Sequence, residues 1–282
     1  MSVPIKVDLT DKVVVITGAG GVICGAMAKA VAECGAKVAV LDLRLEAAQK
    51  VADEITAAGG TAKGYSCNVL EKESLAECHA KVTEELGPCD ILINGAGGNH
   101  PKAQTTKEYY EQGDLDADTI SFFDLDQNGV QFVFNLNIIG TLLPTQEFAK
   151  DMAQKGSGNI LNISSMNAFT PLTKIPAYSA AKAGVSNFTQ WLAVHFSKVG
   201  IRVNAIAPGF LLTAQNRSLL LNEDGSPTPR SAKILAATPM DRMVAPEELL
   251  GATLFLISDE AASAITGVVL PIDAGFSSYA GV

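Results

Sequence analysis

Two rhythms of apolar and polar residues alternate along the chain. Short, mostly apolar runs that stop at glycine or at a polar turn occupy residues 12–17, 37–41, 90–94, 159–163, 201–207 and 267–272, and the more polar run 61–67 is read as the third strand in the series. Runs of that length, rich in Val and Ile, predict strands buried on both faces. Between them apolar residues recur at helical spacing over residues 25–34, 46–58, 71–86, 129–155, 177–199 and 246–256, which predicts helices. Gly35 closes the first of these helices and Gly59-Gly60 the second, as C-caps. Strand and helix in this alternation predict an α/β fold, a doubly wound parallel sheet with helices on both faces. No linker or change of composition divides residues 1–282, so they read as one domain.

Two polar segments interrupt the rhythm, residues 99–128 and 210–241. Each follows the C-terminal end of a predicted strand, where open sheets bind their ligands. Long stretches without periodicity at such places are functional or mobile loops.

Composition narrows the function. Apolar residues make up 48% of the chain and charged residues 18%, enough for a large core. The net charge of -9 and the lack of a basic stripe argue against a nucleic-acid partner. Residues 1–11 are too short and polar for a signal peptide, and no apolar run reaches transmembrane length. A cytoplasmic protein with no membrane partner is expected. Cys24, Cys34, Cys67, Cys78 and Cys89 lack metal-ligand spacing and read as reduced thiols. The run Asp124-Leu-Asp126-Gln-Asn128-Gly129 imitates the start of a calcium loop, but its twelfth position is Asn135, where a bidentate Glu is required. Asp124 or Asp126 is read instead as a helix N-cap, and no metal site is expected.

The candidate chemistry lies at strand ends. Thr17-Gly-Ala-Gly-Gly21 follows the first strand and opens the first helix, so its backbone N–H groups form an anion site aided by the helix dipole. Asp42 ends the second strand, about 20 residues on, where a carboxylate accepts from ribose hydroxyls. A 2'-phosphate there would meet a like charge, which favours NAD over NADP, with Arg44 acting in the opposite sense. In Tyr178-Ser-Ala-Ala-Lys182 the tyrosine and lysine share one helix face. A nearby ammonium is expected to lower the tyrosine pKa toward neutrality, where it can act as acid and base. Ser165 lies upstream at the end of the fifth strand, and Asn137 lies in Asn137-Ile-Ile-Gly140.

Together Thr17-Gly18, Asp42, Asn94-Gly-Ala-Gly97, Asn137, Ser165, Tyr178, Lys182, Pro208-Gly209 and Thr213 resemble the short-chain dehydrogenase/reductase family over almost the whole chain. The resemblance implies a Rossmann-type fold and an NAD(P)-dependent oxidoreductase acting on CH–OH groups. It implies a catalytic set of Asn137, Ser165, Tyr178 and Lys182. In it Tyr178 is the acid–base group, Ser165 binds the reacting oxygen, and Lys182 also binds the nicotinamide ribose. Asn137 holds a water that relays protons from Lys182. The cofactor positions it implies are Gly18, Gly20, Gly21, Val22, Ile23, Asp42, Asn68, Val69, Asn94, Ala96, Gly97, Tyr178, Lys182, Pro208, Gly209 and Thr213. It also implies a homotetramer, which suits the uncharged tail Phe276-Ser-Ser-Tyr-Ala-Gly-Val282. The chain departs from the family pattern in places. The second and third glycines of the family turn fall on Val22 and Cys24, the common Asn-Asn-Ala-Gly reads Asn94-Gly95, and an adenine-contacting Asp position reads Asn68.

Within the family, Gly97-Gly-Asn-His-Pro101, Asn162-Ile-Ser-Ser-Met-Asn-Ala168, Leu172-Thr-Lys-Ile-Pro176 and Gln190-Trp-Leu-Ala-Val-His195 resemble the D-mannonate oxidoreductases, or fructuronate reductases. That implies reversible interconversion of D-mannonate and D-fructuronate with NAD. A sugar-acid substrate needs local cations in so acidic a protein, and the candidates are His100, Lys102, Lys174 and Arg217, with Asn99 and Asn167 for hydroxyls. His195 is expected to pack along its helix and His79 to lie on the surface. Another polyol or sugar-acid dehydrogenase, of gluconate or sorbitol type, stays open beside this reading. So does a non-catalytic dinucleotide sensor.

Overall fold

The computed structural model describes residues 7–213 and 217–281. The first six residues of the segment read as too polar for a signal peptide, and Val282 of the tail, lie outside the described residues.

Seven strands form one parallel sheet in the order β3-β2-β1-β4-β5-β6-β7. They are β1 (Val13–Thr17), β2 (Lys37–Asp42), β3 (Thr61–Ser66), β4 (Ile91–Asn94), β5 (Gly158–Ile163), β6 (Ile201–Pro208) and β7 (Val269–Ile272). The helices are α1 (Val22–Glu33), α2 (Leu45–Ala57), α3 (Lys72–Glu85), α4 (Gln127–Phe134), α5 (Gly140–Lys155), α6 (Pro176–His195), α7 (Arg217–Leu220), α8 (Pro229–Ala236) and α9 (Leu250–Ile257). Period-two alternation divides the strands between two cores. Val14, Ile16, Val38 and Val40 pack with Met27 and Val31 of α1 and Leu256 of α9. Val13, Val15, Ala39 and Leu41 turn the other way, onto Leu75 of α3, Phe148 of α5 and Leu192 of α6. Both faces of the central strands are therefore covered, whereas the edge strand β3, Thr61-Ala-Lys-Gly-Tyr-Ser66, mixes exposed, part-buried and buried residues. No helix of the described residues is long and apolar enough to cross a membrane.

The sheet order reverses between β1 and β4, so the loops after these two strands diverge and leave a crevice at their C-terminal ends. Thr17 ties the rims together, its buried hydroxyl accepting from Gly95 N (3.0 Å) and Ala96 N (3.2 Å).

Several elements differ from expectation. Helix α1 begins at Val22 rather than Gly25, because the glycine turn closes early with Gly21 N donating to Gly18 O at 3.1 Å, which leaves Gly21 as N-cap. The helix expected over 129–155 is broken by a π-turn, Asn135–Ile139. Within α5, after this turn, Pro144 has no N–H to donate, and Thr141 Oγ1 bonds back to Asn137 O at 2.8 Å. Asp126 is the N-cap of α4, accepting from Gly129 N (2.7 Å), while Asp124 closes a capping box with Ser121. His79 is not a surface residue; it lies between Glu147 and Asp151, 2.9 Å from each.

Candidate active site

A crevice of about 750 Å³ opens at the sheet reversal. One wall is the glycine turn and the start of α1: Gly18, Gly21, Val22, Ile23 and Cys24. The opposite wall carries Ser165, Asn167 and Tyr178, and its outer end is closed by Phe210, Leu220 and Arg230.

The glycine wall has the form of an anion cradle. Gly18 holds φ +65°, and a Cβ there would lie 3.0 Å from the Ala96 backbone, so the turn tolerates no side chain. No side chain caps α1, so the N–H groups of its first turn stay free for a ligand. Asp42 braces the turn from behind. Its Oδ2 accepts from Gly20 N and its Oδ1 from Arg44 N, both at 3.1 Å, and the remaining lone pairs are open to hydroxyl donors. The Arg44 Nε stands 3.9 Å from the same carboxylate. These features fit a dinucleotide with an unphosphorylated ribose.

Two departures from the family pattern answer each other. A Cβ on residue 95 would lie 2.1 Å from Cys24 Sγ. The thiol thus fills the space that Gly95 leaves, and Gly25 takes over close packing, its Cα facing Ala19 O and Val51. Burial pushes the Cys24 thiol up to about 12, which keeps it protonated and inert.

On the opposite wall Ser165, two residues past the end of β5, caps a short 3₁₀ turn, accepting from Asn167 N at 3.3 Å. Tyr178 sits in the first turn of α6. Lys182, one turn on, is buried and donates to Ile163 O at 2.8 Å, with its Nζ 5.7 Å from the centre of the Tyr178 ring. Asn137, fully buried in the π-turn, donates to Gly98 O (2.8 Å) and Val133 O (2.7 Å) and accepts from Gly98 N (3.3 Å). Lys182 and Asn137 meet at Gly97, where a Cβ would lie 2.8 Å from Asn137 Oδ1 and 3.2 Å from Lys182 Nζ.

The electrostatics differ from the sequence expectation. Burial raises the Tyr178 phenol above its usual range, and the Ser165 hydroxyl beside it works the other way. Lys182 is not what lowers it here: its own burial brings the ammonium down to about 8, so it is a weak partner for the phenol in the protein alone.

Not every predicted residue reaches the crevice. Gly18, Gly21, Val22, Ile23, Gly97, Ser165, Asn167, Tyr178, Gly209 and Thr213 line it. Val22, the first residue of α1, lies at the rim of the crevice, partly exposed. Asn94 turns its side chain into the core, donating to Thr145 Oγ1 and Asn162 Oδ1, both at 2.9 Å. Asn68 closes a local turn by accepting from Leu70 N (3.1 Å), and Val69 packs toward Gly140. Pro208 ends β6, beside Gly209, whose backbone runs against Asp273.

The expected substrate cations are elsewhere. His100 Nδ1 accepts from Lys102 N (3.2 Å) and its ring packs on Phe132. Lys102 is exposed; Lys174 sits at φ +70° with its carbonyl accepting from Thr105 N; Arg217 lies exposed on α7. None of the four lines the crevice, nor does Asn99. The cation that does is Arg230, which the sequence reading passed over. The signal for it was Thr228-Pro229, an N-cap followed by proline at N1, where Thr228 Oγ1 accepts from Ser231 N at 3.3 Å and starts α8.

Comparison with known proteins gives the family of the chain. The family model for short chain dehydrogenases matches residues 12–224. An uncharacterised oxidoreductase of Haemophilus influenzae (strain ATCC 51907 / DSM 11121 / KW20 / Rd) is 59% identical over 282 residues, covering 100% of this chain and 99% of its own. A Haemophilus crystal structure described as a candidate D-mannonate oxidoreductase with bound NAD superimposes with a TM-score of 0.94, at 59% identity over 100% of both chains. The D-threitol dehydrogenase of Mycolicibacterium smegmatis (strain ATCC 700084 / mc(2)155) is 33% identical over 277 residues, covering 98% of this chain and 97% of its own. Glycine turn, crevice and matched length together make this chain a member of the short-chain dehydrogenase family, an oxidoreductase of alcohol groups.

Proposed function

We propose that the whole chain acts as one NAD-dependent dehydrogenase domain for sugar acids, interconverting D-mannonate and D-fructuronate in the cytoplasm. The observation that carries the reading is the crevice that sets Ser165 and Tyr178 opposite a bare glycine turn braced by Asp42. The identity of the sugar acid is drawn from the Haemophilus structure's description.

NAD, when bound, supplies the hydride acceptor or donor. Gly18, Gly21 and the open first turn of α1 hold its phosphates, and Asp42 its ribose hydroxyls, repelling a 2'-phosphate. Tyr178 holds a proton at neutral pH because burial disfavours the phenolate. In reduction it donates that proton to the carbonyl oxygen as negative charge develops there, and in oxidation it takes one back. Ser165 Oγ donates a second hydrogen bond to the same oxygen. Lys182 binds the nicotinamide ribose, and Asn137 holds the water through which Lys182 exchanges protons with solvent. Asn167 meets substrate hydroxyls.

The test is a panel of hexonates, keto-acids and polyols assayed with NAD and NADP by the absorbance of the reduced nicotinamide. D-Mannonate with NAD is expected to give the highest kcat/KM. Tyr178→Phe is expected to lower kcat by on the order of 10² or more. Preference for an uncharged polyol would favour the second reading, a polyol dehydrogenase like the D-threitol enzyme.

A further inference from the structure

The outer end of the crevice contains a cation held by no ion pair and a buried acceptor without a hydrogen-bond partner. Arg230, second residue of α8, lines the crevice with Ser165, Asn167 and Tyr178. Its guanidinium is exposed and makes no hydrogen bond or ion pair among the described residues, although it lies close enough to Glu108 to favour that carboxylate's charged form. The other cation on the helix, Lys233, is by contrast held by both carboxylate oxygens of Glu108, each at 3.0 Å. Asn167 is only 4% exposed, yet its Oδ1 has no partner. A buried amide oxygen left unpartnered is costly, and a hydroxyl donor from a ligand relieves it.

We propose that Arg230 receives the carboxylate of a polyhydroxy-acid substrate while Asn167 Oδ1 accepts from one of its hydroxyls. This rests on the sugar-acid reading and deepens it by naming the groups that recognise the acid. The rest of this end of the crevice is apolar, with Met166, Leu172, Ile175 and Phe210. Charge-assisted hydrogen bonds are stronger beside such a wall than in open water. A guanidinium matches a carboxylate through two parallel N–H donors, which an ammonium cannot do. The net charge of -9 repels anions at long range, so selection of an acid has to come from a local cation placed at the reacting end of the sheet.

Helix α8 is fixed well enough to aim this residue. Ser231 Oγ donates to Leu220 O at 2.5 Å, Thr228 N donates to the same carbonyl at 3.0 Å, and the Glu108–Lys233 pair ties the helix to the segment after β4.

The experiment compares wild type, Arg230→Met, Arg230→Lys and Asn167→Ala with D-mannonate and with mannitol, using NAD. Arg230→Met is expected to raise KM for D-mannonate about ten- to hundredfold, as loss of one charge-assisted bond predicts, with the effect on KM rather than kcat. The loss for mannitol should be smaller by about tenfold or more. Arg230→Lys should recover part of the loss, since charge remains without the fork. Asn167→Ala should raise KM for both substrates. If wild type turns over D-mannonate and Arg230→Met leaves its KM within about twofold, the assignment of Arg230 is wrong and the sugar-acid function stands. If wild type prefers mannitol and ignores every hexonate, both the function and this assignment fall. Circular dichroism of each variant separates a lost contact from a lost fold, and a misfolded Arg230→Met passes the decision to Arg230→Lys against wild type.

Discussion

At the residue scale the clearest coupling joins Cys24 and Gly95. Gly95→Ala puts a Cβ 2.1 Å from the Cys24 sulfur, and overpacking of this kind costs typically 1–3 kcal/mol. In a Cys24→Ala background the clash with sulfur is gone, but the new Cβ still lies 2.9 Å from Thr17 O, so only part of the loss should disappear. Urea unfolding of the two single variants and the double is expected to give a coupling of about 1 kcal/mol or more; additive losses would mean that the thiol and the glycine are independent. Lys182 gives a pH prediction. Its folded value is about 8 against 10.5 for a free lysine. Between those values the unfolded chain still binds a proton that the folded chain has released, so this residue makes stability rise with pH across the window. Below pH 8 the buried ammonium opposes folding by roughly 3 kcal/mol at most, from 1.36 kcal/mol per unit. Cofactor-free Lys182→Met should therefore unfold at a higher temperature than wild type at pH 7, with the gap closing toward pH 10. A gap that does not move with pH would show that the charge is not the cause.

At the element scale the strands were legible because a central parallel strand has only one solution, a short run apolar on both faces that ends at a turn. Val13–Thr17 is such a run. The nucleotide turn and the Tyr178 helix were legible because their chemistry sits within one short stretch. Helix α8 was not, since eight residues carry too little periodicity to stand out, and the π-turn was not, since one extra residue in a turn leaves the surrounding helical pattern intact. Lys102, Lys174 and Arg217 were chosen for closeness to motifs along the chain, whereas the direction of a loop depends on partners far away. The Glu108–Lys233 pair is such a partner, joining residues 125 apart. Exposed pairs contribute about 0–1 kcal/mol, so Lys233→Met should hardly change Tm. It should instead speed amide exchange at Thr106 and Ile120, which bond each other across the segment held by Glu108. Unchanged exchange there would mean that the segment is held by its own Lys107–Asp114 and Lys107–Glu111 pairs.

At the scale of the whole molecule, the homotetramer that the family resemblance implies needs an apolar face. Helices α5 and α6 offer one, a hollow of about 500 Å³ lined by Leu142, Ala149, Phe188 and Trp191. Trp191 is 56% exposed and stacks on His195, 4.6 Å between ring centres. An exposed patch of this type marks an interaction site. Light scattering at micromolar concentration should give four times the chain mass of 29.4 kDa; a monomer mass would refute the assembly. Trp191 is also the single tryptophan of the chain, and it lies outside the crevice lining. The protein therefore carries a built-in fluorophore whose emission wavelength should follow dilution and subunit dissociation, while substrate, bound elsewhere, leaves it untouched.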